Sequence, residues 1–197
     1  MKEYQSDLLL MASRLLSYPS NEDREIILDG MAEIEVPKDL RVKLEEAVDT
    51  VCRVSLPELQ ETYVETFDLK EKLGLYLSAH EFGDSPKRGA ALIKLQKIIN
   101  QAGYEREEGE LADYIPMLYE FLAVSGETAD SERLFKRLSC VTQRILNHLT
   151  DDSPYRFIFS VMMEYVFEAP TKQELQDMET NREQADLEEL PYPIMYK

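Results

Sequence analysis

Apolar residues recur at three- and four-residue spacing along almost the whole chain, and that period limits the fold more than any other feature. Leu8, Met11, Ala12, Leu15 and Leu16 form one stripe, which Tyr18-Pro19-Ser20 stops. Leu40, Leu44, Ala47, Val48, Val51 and Cys52 form another after Pro37. A half-buried strand would instead alternate, and neither alternation nor an Asn-Gly hairpin nor a fixed-length repeat stands out. With only 7 glycines in 197 residues, and Leu, Glu, Lys, Ala and Arg filling most positions, intrinsic propensity points the same way.

Helix punctuation divides the stripes. Ser20 with Asp23 offers a cap and a first-turn acid for a short second helix through Ile26 and Ile27. Ser55 and Glu58 suggest a capping box for a fourth, with Leu59, Tyr63 and Phe67 on one face. A fifth is expected from Leu73 to about Glu81, and a sixth from Pro86 to Gly103. Asp113 is expected to cap a seventh that tolerates Pro116 in its first turn and ends at Gly126. A long helix from about Ser131 follows. Ser153-Pro154 then starts a helix apolar on most of its circumference, hence central.

These readings predict an all-α protein: a single helical-bundle domain of about eight or nine helices over residues 1–170, the length allowing one substantial core. After Pro170 acids dominate and Pro191-Tyr-Pro193 prevents a regular end. Residues 171–197 are therefore expected to form an acidic, largely flexible C-terminal tail with at most one short helix near Leu175–Met178.

Charge and cysteine usage exclude several classes. The 39 acids against 22 bases give a formal charge of −17, which repels nucleic acid and anionic lipid and suits a basic peptide or protein. Acidity also serves plain solubility, so charge excludes partners better than it names one. Cys52 and Cys140 lie far apart without metal-type spacing, so a reducing, cytoplasmic location is the default expectation. The first residues are too charged for a signal peptide, and no apolar run approaches bilayer thickness.

Catalytic motifs are missing from the sequence. Two histidines and two cysteines are scattered, so no metal is expected, and there is no Gly-x-Ser-x-Gly. Carboxylates are too abundant for any pair to be singled out as an acid–base couple. The stretch from His80 to Gly89 concentrates a histidine, a helix start, two bases and an acid at one turn. Its loop Gly83–Gly89 resembles an anion cradle in composition, giving the alternative of a small-ligand or nucleotide-binding helical protein. Asp84 and Pro86 oppose that reading, one by charge and the other by lacking an N–H.

Aromatics crowd the middle third. A phenol is apolar along its ring and polar at its tip, which suits a groove that grips a peptide. Tyr76 and Tyr114 lie near helix ends among polar neighbours and are the better groove candidates; Tyr63, Phe67, Tyr119 and Phe121 equally suit a core. His80 suits a core or capping role as well as a groove. Asp84 and Asp113 suit turns and caps as well as a rim, and Arg88 suits pairing with a carboxylate.

The same residues carry a resemblance. Tyr63-Val-Glu-Thr-Phe-Asp-Leu69, Leu75-Tyr-Leu-Ser-Ala-His80, Gly83-Asp-Ser-Pro-Lys-Arg-Gly-Ala-Ala-Leu92, Glu110-Leu-Ala-Asp-Tyr-Ile-Pro116 and Glu120-Phe-Leu-Ala123 follow in order. Their order and spacing resemble the NarJ-type chaperones, the nitrate reductase delta subunit family of redox-enzyme maturation proteins. Arg14-Leu-Leu-Ser-Tyr-Pro19 is similar to that family's opening helix. Relatives usually carry Leu-Pro-Asp-His or Leu-Pro-Asp-Tyr before the seventh helix. Here Ala112 replaces the proline and Tyr114 offers no titrating imidazole, so no pH-sensing role is carried over to it. The tail is also short compared with some relatives.

The resemblance implies an all-helical cytoplasmic chaperone without catalytic activity and without a stably bound cofactor. Its implied partner is the apo catalytic (alpha) subunit of respiratory nitrate reductase, both its body and its N-terminal leader-like segment. The chaperone would hold that subunit for molybdenum cofactor insertion before membrane docking. Molybdenum cofactor biosynthesis proteins are further candidate partners. Residues and resemblance together nominate Tyr76, His80, Asp84, Asp113 and Tyr114 as the border of a peptide groove, supported by Tyr63, Phe67, Asp68 and Arg88.

Overall fold

The computed structural model describes residues 3–106 and 109–186. Those residues form ten α-helices and no strand. Helix α1 (Glu3–Leu15) buries Leu8, Leu9, Met11, Ala12 and Leu15 and packs most extensively on α7 (Ile115–Val124). The α7 sequence explains its central place, since Ile115, Leu118, Tyr119, Phe121 and Leu122 are all buried and leave it no polar face of useful width. Each such side chain contributes about 1.5–3 kcal/mol on leaving water.

Around this pair run α2 (Asn21–Glu33), α3 (Lys38–Cys52) and α4 (Leu56–Tyr63). Ser20 caps α2 as expected, its Oγ accepting from Asp23 N at 3.0 Å, but the helix is a full 13 residues rather than short. Ser55 reaches Glu58 Oε2 at 2.9 Å without capping the α4 backbone. Helices α5 (Leu77–Phe82) and α6 (Lys87–Gln101) follow. The 20-residue α8 (Ala129–His148) is closed by reciprocal Thr128 and Ser131 hydrogen bonds. Then comes α9 (Arg156–Val161), whose Ile158, Phe159 and Val161 are buried, in line with a central position.

Two departures from helical regularity were not legible in the spacing. Helix α4 runs into a π turn at Val64–Asp68, and α9 into another at Met162–Val166. The five-residue hydrogen bonds Leu69 N to Val64 O (3.1 Å) and Phe167 N to Met162 O (2.9 Å) close them. The first accommodates Phe67, whose ring meets Tyr63 at 5.1 Å and Tyr155 at 4.8 Å, both edge-on. Core packing selects the wider turn, and a 3.6-residue pattern does not encode it.

One helix of the expected tail is longer than anticipated. Lys172–Asp186 forms a tenth helix, longer than the one short helix expected around Leu175–Met178, and it lies against α5 and α8 with Met178 packed on the core. The rest of the expected tail, 187–197, lies outside the described residues. No described helix is long and apolar enough to cross a membrane.

Candidate functional site

The nominated residues lie about a junction where the start of α5, the start of α7, the end of α1 and the π turn after α4 converge. Tyr76 and Tyr114 pair across a single antiparallel bridge. Leu77 N donates to Asp113 O and Ile115 N to Leu75 O, both at 2.9 Å. The bridge brings the two phenol rings to 5.6 Å. Both are half-buried.

Asp113 occupies a different place from the one expected. It was expected to cap α7, yet the α7 cap position is Tyr114, with no side-chain hydrogen bond. The Asp113 carboxylate turns instead to α5, where Oδ2 accepts from Ser78 N at 3.1 Å and from the Ser78 hydroxyl. It thus satisfies an orphan N–H in the first turn of a neighbouring helix, where negative charge is also favoured. Arg88 Nη2 stands 3.8 Å from the same oxygen, and Arg88 Nε donates to Ser78 Oγ at 3.3 Å. Asp113 is 0% exposed, so it belongs to the floor of the junction and not to an acidic rim. Its Oδ1 has no hydrogen-bond partner.

Three phenols finish the opposite side. Tyr63 OH donates to Leu16 O, the carbonyl at the end of α1, at 3.2 Å. Tyr114 OH lies 3.0 Å from Tyr63 OH and 3.4 Å from the same carbonyl. Two tyrosines from different helices thereby satisfy the end of a third. Burial is the main cause that pushes the Tyr114 phenol up to about 12 and raises Tyr63 further. Tyr76 is raised by burial first and then by the carboxylates Glu110, Asp113 and Asp68. Phe67 lies beneath Tyr63 and is buried, while Asp68 is exposed.

His80 is not on the surface. It is 1% exposed and lies between Arg144 and the turn before α5. Arg144 Nη1 donates to His80 Nδ1 at 2.7 Å; a guanidinium has no acceptor, so Nε2 carries the proton and donates to Gly74 O at 2.6 Å. The histidine therefore fixes the approach to α5 and cannot touch a peptide in this conformation. Asp84 is exposed, but it sits beyond the far end of α5, about 9 Å along the axis from the bridge.

The anion-cradle reading of Gly83–Gly89 loses its principal cation, because Arg88 turns inward to Ser78 and Asp113. Gly83, at φ +53° and ψ −133°, ends α5 in a backbone region that side chains avoid, which explains the glycine without any ligand. No group of three or more metal-ligating side chains occurs among the described residues.

Ser78, Glu110 and Arg144 were not singled out from the sequence. Arg144 had a readable signal, since it interrupts the buried stripe Val141–Ile145 of α8. From Tyr114 a groove of about 560 Å³ opens between the ends of α1, α6 and α7, walled by Ile99, Met117, Phe121 and Tyr104. Glu105, Glu110 and Glu120 lie along it, with Arg14 and Arg106 among them. A second hollow of about 460 Å³ lies between α1 and α2.

Comparison with known proteins bears on this geometry. The family model described as nitrate reductase delta subunit matches residues 35–151, which include the whole junction except the end of α1. The probable nitrate reductase molybdenum cofactor assembly chaperone NarJ of Bacillus subtilis (strain 168) is 33% identical over 153 residues, 77% of this chain and 83% of that protein. NarJ of Escherichia coli (strain K12), also a nitrate reductase molybdenum cofactor assembly chaperone, is 26% identical over 160 residues, 79% of this chain and 67% of that protein. The nitrate reductase-like protein NarX of Mycobacterium tuberculosis (strain H37Rv) is 29% identical over 146 residues, 73% of this chain but 22% of the longer protein.

Proposed function

This chain belongs to the nitrate reductase delta subunit family, and from that membership we propose that it is an assembly chaperone for a respiratory nitrate reductase. It performs no catalysis of its own. It binds the apo catalytic subunit, including the N-terminal leader-like segment, and holds it for molybdenum cofactor insertion before membrane docking. It acts in the cytoplasm and keeps no cofactor stably bound. The chaperone names of the relatives carry the general role. The junction supports the peptide step through one observation: two half-buried phenols meet at 5.6 Å beside a groove that carries carboxylates along an apolar wall.

Such a surface divides the work of recognition. Tyr76 and Tyr114 offer ring faces to the apolar side of a bound segment. Glu110 on the groove and the exposed Asp68 attract and orient its cations, while Asp84, beyond the far end of α5, adds only to the general negative field. Asp113, Ser78, Arg88, His80 and Arg144 act from beneath, holding α5 and α7 in register so that the two tyrosines stay paired. Tyr63 and Phe67 support Tyr114 from the core side.

Titration calorimetry with a peptide of the first residues of the catalytic subunit tests the reading. Binding is expected to weaken with salt as exposed carboxylates are screened beyond about 10 Å at 0.1 M, and to persist in part through the apolar contact. Tyr76→Ala is expected to weaken it about tenfold or more, as loss of an aromatic anchor does. Absence of binding at both low and high salt would remove the leader from this function.

A further inference from the structure

The hollow between α1 and α2 has no role in the junction, yet it is built as an open, acidic-rimmed trough. Leu10 and Ile26 form its lips, 38% and 44% exposed, above the buried Met11, Ile27 and Ile34 of its floor. Asp7, Glu33 and Glu120 stand around them. The one basic side chain there, Arg14, is engaged by Asp23 at 3.5 Å, so the local balance stays negative.

Gly30 gives an independent observation. It lies inside α2, where glycine weakens a helix, and its φ is not positive, so the backbone does not require it. A Cβ built there would meet nothing within 4 Å. The missing side chain therefore makes no room for any other part of this protein. It leaves open the trough that Gly30 lines, where another backbone could approach α2 closely.

We propose that the α1–α2 trough is a second docking site for the client, taking an amphipathic helix that carries lysine or arginine beside an apolar stripe. The inference rests on the chaperone reading for the identity of the client, but not on the junction. Shape and charge argue for this occupant together. The apolar stripe lies over Gly30 between Leu10 and Ile26, while its cations reach Asp7, Glu33 and Glu120. Arg14 and Glu120 also line the groove that begins at Tyr114, so the two sites are contiguous along α1. From Asp7 to Ser17 they span about 15 Å, enough for roughly three helical turns. A client can then be held at two neighbouring points, which raises its retention without stronger contacts at either.

The full chain is titrated with a fluorescein-labelled, designed 15-residue helix of leucine, alanine and lysine, with lysines flanking a leucine stripe. Expected are salt-sensitive binding to the native chain, and at least about tenfold weaker binding after Gly30→Leu, which sets a side chain in the trough from a Cβ position that meets nothing within 4 Å. Ile26→Ser, at the lip, should weaken binding in the same direction and guards against misfolding of the first variant. Ile93→Ser removes a still more exposed aliphatic on α6, away from the trough, and should change nothing. Unchanged affinity in both Gly30→Leu and Ile26→Ser, or equal loss in Ile93→Ser, overturns the proposal. Failure of the leader peptide to bind, with this pattern intact, removes the leader step and leaves the trough as a site.

Discussion

The α5–α7 junction and the α1–α2 trough are neighbours along α1, yet they are built by opposite means. At the junction nearly every polar group is answered from within: Asp113 by Ser78 and Arg88, His80 by Arg144 and Gly74, the end of α1 by two tyrosines. Along the trough the carboxylates line open space and a glycine stands where a side chain could go. The junction is a device for holding two helices and one aromatic pair in place. The trough's floor of Met11, Ile27 and Ile34 belongs to the core, but its rim and Gly30 hold nothing in place, which suits a surface meant for something else. Stability should therefore be sensitive at the first and tolerant at the second.

The largest effect is expected at Asp113. Replacing it with alanine leaves the buried Ser78 N–H and hydroxyl without their acceptor and separates Arg88 from its carboxylate. Arg88 is 27% exposed and can turn to water, so the loss falls mainly on Ser78, at about 2–3 kcal/mol. Asp113→Asn keeps one acceptor and should cost about half as much. Urea unfolding reads both directly, as a fall in midpoint at constant slope. If Asp113→Ala unfolded at the native midpoint, the junction would not be the fastening described here.

A smaller effect belongs to the phenols. Tyr114→Phe removes the hydroxyl link to Tyr63 and Leu16 O and should cost about 1 kcal/mol near neutrality. The same residue carries an alkaline signature. Its folded value is pushed up to about 12, against about 10 for an ordinary tyrosine, so the unfolded chain gives up this proton first. Between those values the unfolded state binds fewer protons, and stability falls as pH rises. The contribution is complete below about pH 10 and is lost as pH climbs through 12. Urea midpoints from pH 9 to 11.5 should decline less steeply in Tyr114→Phe than in the native chain; parallel declines would place the titration elsewhere.

What the sequence disclosed and what it withheld separate along the same line. Helical class and the order of the first nine helices followed from apolar period and punctuation, because burial of one face is a local pattern written every three or four residues. The π turn at Val64–Asp68 was hidden, since it answers to the packing of Phe67 against Tyr155, a partner far along the chain. Asp113 was misplaced for a related reason. Sequence proximity suggested the helix that follows it, whereas a bridge formed by Leu75–Leu77 presents it to α5. The structure brings Tyr63, Tyr76, Asp113 and Tyr114 into one neighbourhood, while which members face solvent depended on tertiary placement. Asp84, the exposed acid, proved distant from the bridge, and Asp113, the near one, proved buried. The trough left only one trace in the sequence, a glycine inside an otherwise ordinary helix.

That glycine gives the smallest predicted effect and the sharpest contrast between the two regions. Gly30→Ala adds a methyl group into empty space, in a helix interior where alanine is favoured over glycine by about 0.5–1 kcal/mol. The change should stabilise the chain by that amount, seen as a small rise in urea midpoint with unchanged slope. Gly83 differs, because its φ of +53° ends α5 in a region where any Cβ is strained, so the junction needs its glycine for the backbone itself. A stabilised Gly30→Ala means that folding gains nothing from glycine at this position, and that the trough is kept open at the expense of α2. A destabilised one would mean that α2 uses Gly30 for its own packing, and the contrast between a closed junction and an open trough would then fail at the residue that defines it.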